Sequence, residues 1–254
     1  AFGAVSSVVP ARSPKPILQN VKLVVDAEAG SILMATDMEV GIRHRVLGVK
    51  VEQPGEVILP KERVSSILRT CPDEELAIEA TAEQIIIRGL HARFTLPAED
   101  PWQFPSVPDF TAAGYHVIAA AELQRLIRRT IFATDVESTR YALGGVLFEM
   151  GTDTITLVGT DGRRLAHAEG AVEAEGEISA ATASPVVSVK ALKLIERNLD
   201  ASDPPVHLSF QGNTAVLIRT EQAVIHSRLV EGRFPRYQDV FPSTVEVKIP
   251  LEVG

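Results

Sequence analysis

The chain has 254 residues, 45% of them hydrophobic, which is enough apolar material for two cores of ordinary size. No run approaches the roughly 18 apolar residues that a membrane-spanning helix needs, and the single cysteine, Cys71, excludes an internal disulfide and fits a reducing cytoplasm. A net charge of −8 excludes chain-wide attraction to nucleic acid, so any such contact has to rest on local clusters of Lys and Arg.

In chain order, the stretch from Phe2 to Val9 reads as the tail of a helix. Strand patterns follow at Val21–Val25, Ser31–Thr36, Ile42–Val51, Val57–Leu59, Leu76–Ala80, Gln84–Arg88 and Arg93–Leu96, with Pro54-Gly55, Pro72-Asp73 and Ala98-Glu99-Asp100-Pro101 as turns between them. One helix is expected over Lys61–Arg69, with Val64, Ile67 and Leu68 on one face. Phe110 to Gly114 forms a short linker. Beyond it come a strand at Tyr115–Ile118 and a helix over Ala120–Ala133. That helix buries Leu123, Ile127 and Ile131 and shows Arg125, Arg128 and Arg129 on the opposite side. Further strands are expected at Val146–Met150, Thr154–Gly159, Arg164–Ala171, Gly176–Ala180, Val206–Phe210, Ala215–Arg219 and Val224–Leu229. Between them a helix over Lys190–Leu199 buries Leu192, Ile195 and Leu199 and displays Lys190, Lys193 and Arg197. A last strand pattern runs from Val245 to Ile249. The fold class is α+β, mostly antiparallel strands with one or two helices per half.

The two halves repeat. Leu18 to Asp37 is echoed by Leu143 to Asp161, each running through an alternating strand to a Thr-Asp pair. Lys61 corresponds to Lys190, Arg88 to Arg219 and Phe104-Pro105 to Phe234-Pro235, at offsets of 129, 131 and 130 positions. A register held over so long a span marks a tandem duplication.

The chain is organised around Gly159-Thr160-Asp161-Gly162-Arg163-Arg164-Leu165-Ala166. Asp161-Gly162 is a hairpin signal, because glycine supplies the positive φ that tight turns need. Two arginines beside a leucine make a rim of donors next to an apolar patch, which suits docking a peptide better than breaking a bond. An ordinary hairpin with solvated arginines is the competing reading of the stretch taken alone. Asp37 and Asp161 are read as turn residues and not as a carboxylate pair, since Asp bonds the backbone N–H groups of its own turn. The six histidines lie singly inside strand patterns, without ligand spacing, and no nucleophile elbow is present. No metal and no cofactor are expected. The helices carry basic outer faces while strands and loops carry the acids, which points to a polyanion, a nucleic-acid backbone more than a nucleotide.

Arg12-Ser13-Pro14-Lys15-Pro16-Ile17-Leu18, Arg140-Tyr141-Ala142-Leu143, Thr160 to Ala166 and Gly232-Arg233-Phe234-Pro235-Arg236-Tyr237, in this order, resemble the bacterial DNA sliding clamps, the β subunits of DNA polymerase III. The resemblance covers nearly the whole chain. It implies tandem clamp domains with antiparallel sheets outside and helices lining a concave inner face. In the full-length form it implies a head-to-tail homodimer ring around duplex DNA, with no catalytic activity. In those terms residues 1–110 are domain one without its opening strand, 111–243 a complete domain two, and 244–254 the first strand of a domain three. Carried over by motif, half of a pocket for short apolar peptides of the polymerase, clamp loader and repair proteins falls on Leu143, Thr160, Gly162, Arg163, Arg164, Leu165, Pro235, Tyr237 and Val240. For DNA phosphates the match extends to Arg12, Tyr141 and Lys190, while Lys61, Arg63, Arg125, Arg128, Lys193 and Arg197 are added from helix geometry alone. The alternatives are a duplicated β-rich scaffold, a piece unable to close a ring and retain DNA, or an α+β enzyme using Asp37 or Asp161.

Overall fold

The computed structural model describes residues 1–137, 142–178, 185–242, 244, 247, 249 and 250. The first copy opens with a short helix α1 (Phe2–Ser6), followed by β1 (Asn20–Asp26), β2 (Gly30–Thr36), β3 (Val40–Val46) and β4 (Gly55–Pro60). Helix α2 (Lys61–Thr70) and strands β5 (Ala77–Ala80), β6 (Gln84–Arg88) and β7 (Arg93–Pro97) complete it. The second copy holds β8 (Tyr115–Ile118), α3 (Ala120–Thr130), β9 (Gly145–Met150), β10 (Thr154–Thr160), β11 (Leu165–Ala171) and β12 (Glu173–Glu175). It continues with β13 (Val186–Ser188), α4 (Val189–Arg197), β14 (Val206–Gln211), β15 (Ala215–Arg219) and β16 (Ala223–Arg228).

The strand order shows the duplication directly. The run β3-β2-β1-β4 in the first copy is matched by β11-β10-β9-β13 in the second, and β5-β6-β7 is matched by β14-β15-β16. All these pairings are antiparallel. The copies are joined where β16 pairs with β3, with Ile225 opposite Ile42, both fully buried, so that one nine-stranded sheet runs through both. Their counterparts, β7 for β16 and β11 for β3, stay at sheet edges, as do β4, β5 and β13.

Strand alternation gives the β3-β2-β1-β4 and β11-β10-β9-β13 runs two apolar faces each. Val21, Leu23, Leu33, Ala35, Val57 and Leu59 in the first copy, and Val146, Phe148, Ile155 and Leu157 in the second, line one face. They join one core with Val5, Val64, Ile67, Leu123, Leu126, Ile127 and Ile195 of the helices. On the far side Met34 and Ile58 pack with Phe104 and Val107, while Leu147, Val158 and Val186 pack with Ala142 and Tyr237. Within each copy the helices touch, α1 with α2 and α3 with α4. No helix among the described residues is long and apolar enough to cross a membrane.

Several expectations need correction. Strand β3 stops at Val46, not Val51, because Gly48 turns the chain at φ +73° and Leu47 and Val49 are exposed. Leu68 is half exposed; the buried stripe of α2 is Val64 and Ile67, with Cys71 packed beside it at the helix end. Gly176–Ile178 is not strand, since Gly176 adopts φ +73° just after β12, and positions 179 and 180 lie outside the described residues. The expected strand at Val245–Ile249 falls mostly outside them too. His91 sits in the turn between β6 and β7, where its ring bonds Asp73 at 2.9 Å.

Candidate functional site

The Thr160–Arg164 turn is built by its own side chains. Thr160 Oγ1 donates to the Arg164 carbonyl at 2.7 Å and accepts from the Gly162 N–H at 3.1 Å. Asp161 Oδ1 accepts from the N–H groups of Arg163 (2.9 Å) and Arg164 (3.0 Å), and Oδ2 accepts from Arg164 Nε at 3.0 Å. The backbone N–H groups of Arg163 and Arg164 hold the Asp161 carboxyl below its usual range. Gly162 takes φ +82°, so the turn places Arg163 outward, and Leu165 starts β11 half-buried.

Leu165 lands on the far-side cluster of the second copy, beside Tyr237, Leu147, Val158 and Phe234. Tyr237 is its floor: the ring is buried and the hydroxyl donates to Glu149 Oε2 at 2.5 Å. Burial and that carboxylate push the phenol up to about 12. The Pro235 carbonyl accepts from the Tyr237 N–H at 2.9 Å, fixing the bend that lays the segment over the sheet. Leu143 is buried, and its carbonyl accepts from the Asp135 N–H at 2.9 Å. Val240 is 67% exposed and adjoins Phe241, whose ring meets those of Tyr237 and His167. Leu165, Pro235 and Tyr237 therefore gather on one surface, with the Thr160–Arg164 turn at its edge and Val240 beside Phe241, whereas Leu143 is buried and its carbonyl bonds Asp135.

Spacing did not bring in Phe241, His167 or Phe132. Phe132, 59% exposed, lies under the Arg164 guanidinium at 5.8 Å. An apolar residue in the turn that ends α3 and an aromatic four positions past Tyr237 were readable as apolar residues near the rim, but only the fold places them there.

The helix face is less uniform than expected. Arg125 forks onto Glu122 of its own helix and donates to the Glu169 carbonyl at 2.8 Å. Arg128 reaches Glu196 of α4 at 2.6 Å, and Lys61 pairs with Glu62 at 3.2 Å. The helices thus carry acids as well as bases, and these intercept three of the expected cations at i+1, i−3 or interhelical distance. Lys190 pairs with Asp37 of the first copy. Arg12, Arg63, Lys193 and Arg197 have no carboxylate partner within 4.0 Å among the described residues, and Arg12 and Arg63 are exposed. Lys190, Lys193 and Arg197 line a cavity of about 110 Å³ with Ser7, Val8, Val40 and Leu194, at the seam between α1 and α4. Tyr141 lies outside the described residues.

Comparison with known proteins defines the class. Residues 1–108 match the family model of the DNA polymerase III beta subunit N-terminal domain, and residues 117–236 match that of its central domain. The beta sliding clamp of Pseudomonas aeruginosa is 32% identical over 240 residues, covering 94% of this chain and 64% of the relative. That of Escherichia coli K12 is 32% identical over 254 residues, covering 98% of this chain and 66% of the relative. Among solved structures, a Pseudomonas aeruginosa sliding clamp superposes with a TM-score of 0.85 at 30% identity, covering 96% of this chain and 65% of that one. The Bacillus subtilis DNA polymerase sliding clamp gives 0.87 at 25% identity with the same coverage. The chain belongs to the DNA polymerase III beta subunit family and has the sliding-clamp fold. It spans about two thirds of the length of the relatives it matches.

Proposed function

We propose that this chain works as a sliding clamp, a non-catalytic processivity factor of bacterial DNA replication in the cytoplasm that holds duplex DNA and tethers the polymerase. In this reading residues 1–110 and 111–243 are the first two clamp domains and 244–254 begins a third. The full-length form closes head to tail as a homodimer. The β16–β3 junction supports this, because it is a sheet-to-sheet join between unlike edges and β7 and β11 remain as one edge of each kind.

The observation that carries the DNA reading is the seam cavity, where α4 brings Lys190, Lys193 and Arg197 together on the helix side of an acidic protein. Such contacts are to phosphates, independent of sequence and sensitive to salt, and weak enough to permit sliding. Arg12 and Arg63 extend the surface, whereas Arg125, Arg128 and Lys61 contribute only after leaving their carboxylates. The patch around Leu165, Tyr237 and Val240, rimmed by Arg163 and Arg164, is the seat for apolar peptides of polymerase, loader and repair proteins.

The test is the salt dependence of duplex DNA binding, followed by fluorescence anisotropy. The double variant Lys193→Glu/Arg197→Glu should bind more weakly and flatten the slope of log affinity against log salt by about 0.9 per lost contact. An unchanged slope would exclude the helix face as the DNA-binding surface.

A further inference from the structure

The Thr-Asp turn occurs twice, and its second carboxylate oxygen is used differently each time. In the first copy Thr36 Oγ1 donates to the Val40 carbonyl at 3.0 Å and accepts from the Met38 N–H at 3.0 Å. Asp37 Oδ1 accepts from the Glu39 N–H (3.0 Å) and the Val40 N–H (2.8 Å). Bond for bond this is the Thr160–Arg164 turn. There, however, Asp161 Oδ2 is taken by Arg164 of the same turn. In the first copy Val40 stands in that position and offers no side-chain donor. Asp37 Oδ2 reaches across the seam instead and takes Lys190 Nζ. Lys190 lies in the first turn of α4, where the positive end of the helix disfavours a cation and favours an anion. Lys190 also lines the seam cavity with Lys193 and Arg197. The Asp37 side chain is only 10% exposed, whereas that of Lys190 is 49% exposed. The carboxylate is fixed and the ammonium is free to turn toward an anion.

We propose that Asp37 is a built-in competitor for a DNA phosphate at the seam: it holds Lys190 in the unbound chain and yields it when duplex DNA seats on α4. DNA binding is thereby coupled to release of an ion pair between the two copies. The proposal rests on the reading of the helix face as the DNA-binding surface.

The competition has a signature in the affinity. When Lys190 moves from Asp37 to a phosphate, the ion pair it leaves is subtracted from the contact it makes, so this lysine adds less to binding than an unpaired one. Asp37→Asn keeps the turn, because the amide oxygen still accepts from the two N–H groups, but it releases Lys190. Measured with a short duplex by fluorescence anisotropy over a salt series, Asp37→Asn should bind several-fold tighter at low salt, and the gain should shrink as added salt screens the Asp37–Lys190 pair. The gain should vanish in Asp37→Asn/Lys190→Gln. In the otherwise unaltered chain, Lys190→Gln should cost less affinity than Lys193→Gln. If the unaltered chain binds with a clear salt slope and Asp37→Asn matches it, the competition is refuted while the DNA reading stands. A gain that survives in the double variant also refutes it, since removal of one negative charge would then suffice. Absence of salt-sensitive binding in both the unaltered chain and Asp37→Asn would defeat the DNA reading and this inference together. The Lys190→Gln against Lys193→Gln comparison leaves Asp37 untouched, so it decides the matter if Asp37→Asn fails to fold.

Discussion

The two copies share a backbone plan but finish the far side of their sheets differently. In the first, the segment after β7 is sewn down: Asn20 Nδ2 donates to Glu99 at 3.1 Å, Lys22 Nζ to the Pro101 carbonyl at 3.2 Å, and Arg43 to the Val107 carbonyl at 3.2 Å. Arg43 also pairs with Asp109 at 3.2 Å, and Phe104 and Val107 are buried. In the second, Phe234 is only half-buried, and Val240, Phe241 and Phe132 stay exposed around the Arg163–Arg164 rim. One copy has closed its apolar patch and the other keeps it open. A contiguous exposed apolar patch rimmed by charge is a docking surface more often than an accident. The same face is thus covered in the first half and left partly open in the second.

The largest difference should come from the β10 position that faces α3. A Cβ on Gly159 would sit 2.3 Å from the Thr130 carbonyl, in contact with backbone that cannot give way, while the first copy has the fully buried Ala35 at the matching place. Gly159→Ala should cost about 3 kcal/mol in chemical denaturation, at the upper end of overpacking, and Ala35→Gly about 1 kcal/mol, the backbone entropy of a glycine inside a strand. Next come the Phe-Pro segments. Phe104→Ala should cost about 3–4 kcal/mol, as for a filled core position, and Phe234→Ala about half of that, because its pocket is already partly open to water. Equal losses would erase the contrast between a closed and an open patch. The smallest effect separates the turns. Met38 holds φ +79° where the second copy has Gly162 at φ +82°. Gly162→Ala should therefore cost about 1 kcal/mol, while Met38→Gly should be neutral or stabilise by up to about 1 kcal/mol in thermal unfolding.

Much of this was legible in the sequence because the strands alternate cleanly and the turns announce themselves. Ile155 and Leu157 against Val158 gave both faces of β10, and Asp161-Gly162 gave the hairpin. What failed were features set by partners. The pattern of Ile42–Val51 looks continuous, but among the described residues no strand pairs with it beyond Val46. The basic stripe on α3 looked free because Glu196, which takes Arg128, lies 68 positions away. The Asp37–Lys190 pair spans 153 positions and has no local signal at all. Phe132 and Phe241 join the rim only through the packing of α3 and the closing segment onto the sheet.

The most direct test of the division between the two halves uses a short apolar peptide carrying a spin label, with nuclear magnetic resonance of the isotope-labelled chain. Paramagnetic broadening is expected at Leu165, His167, Val240 and Phe241, abolished by Leu165→Asp, with the Met34, Ile58 and Phe104 region of the first copy untouched. Broadening at the first copy's patch, or none at either, would contradict the division of labour between the two halves.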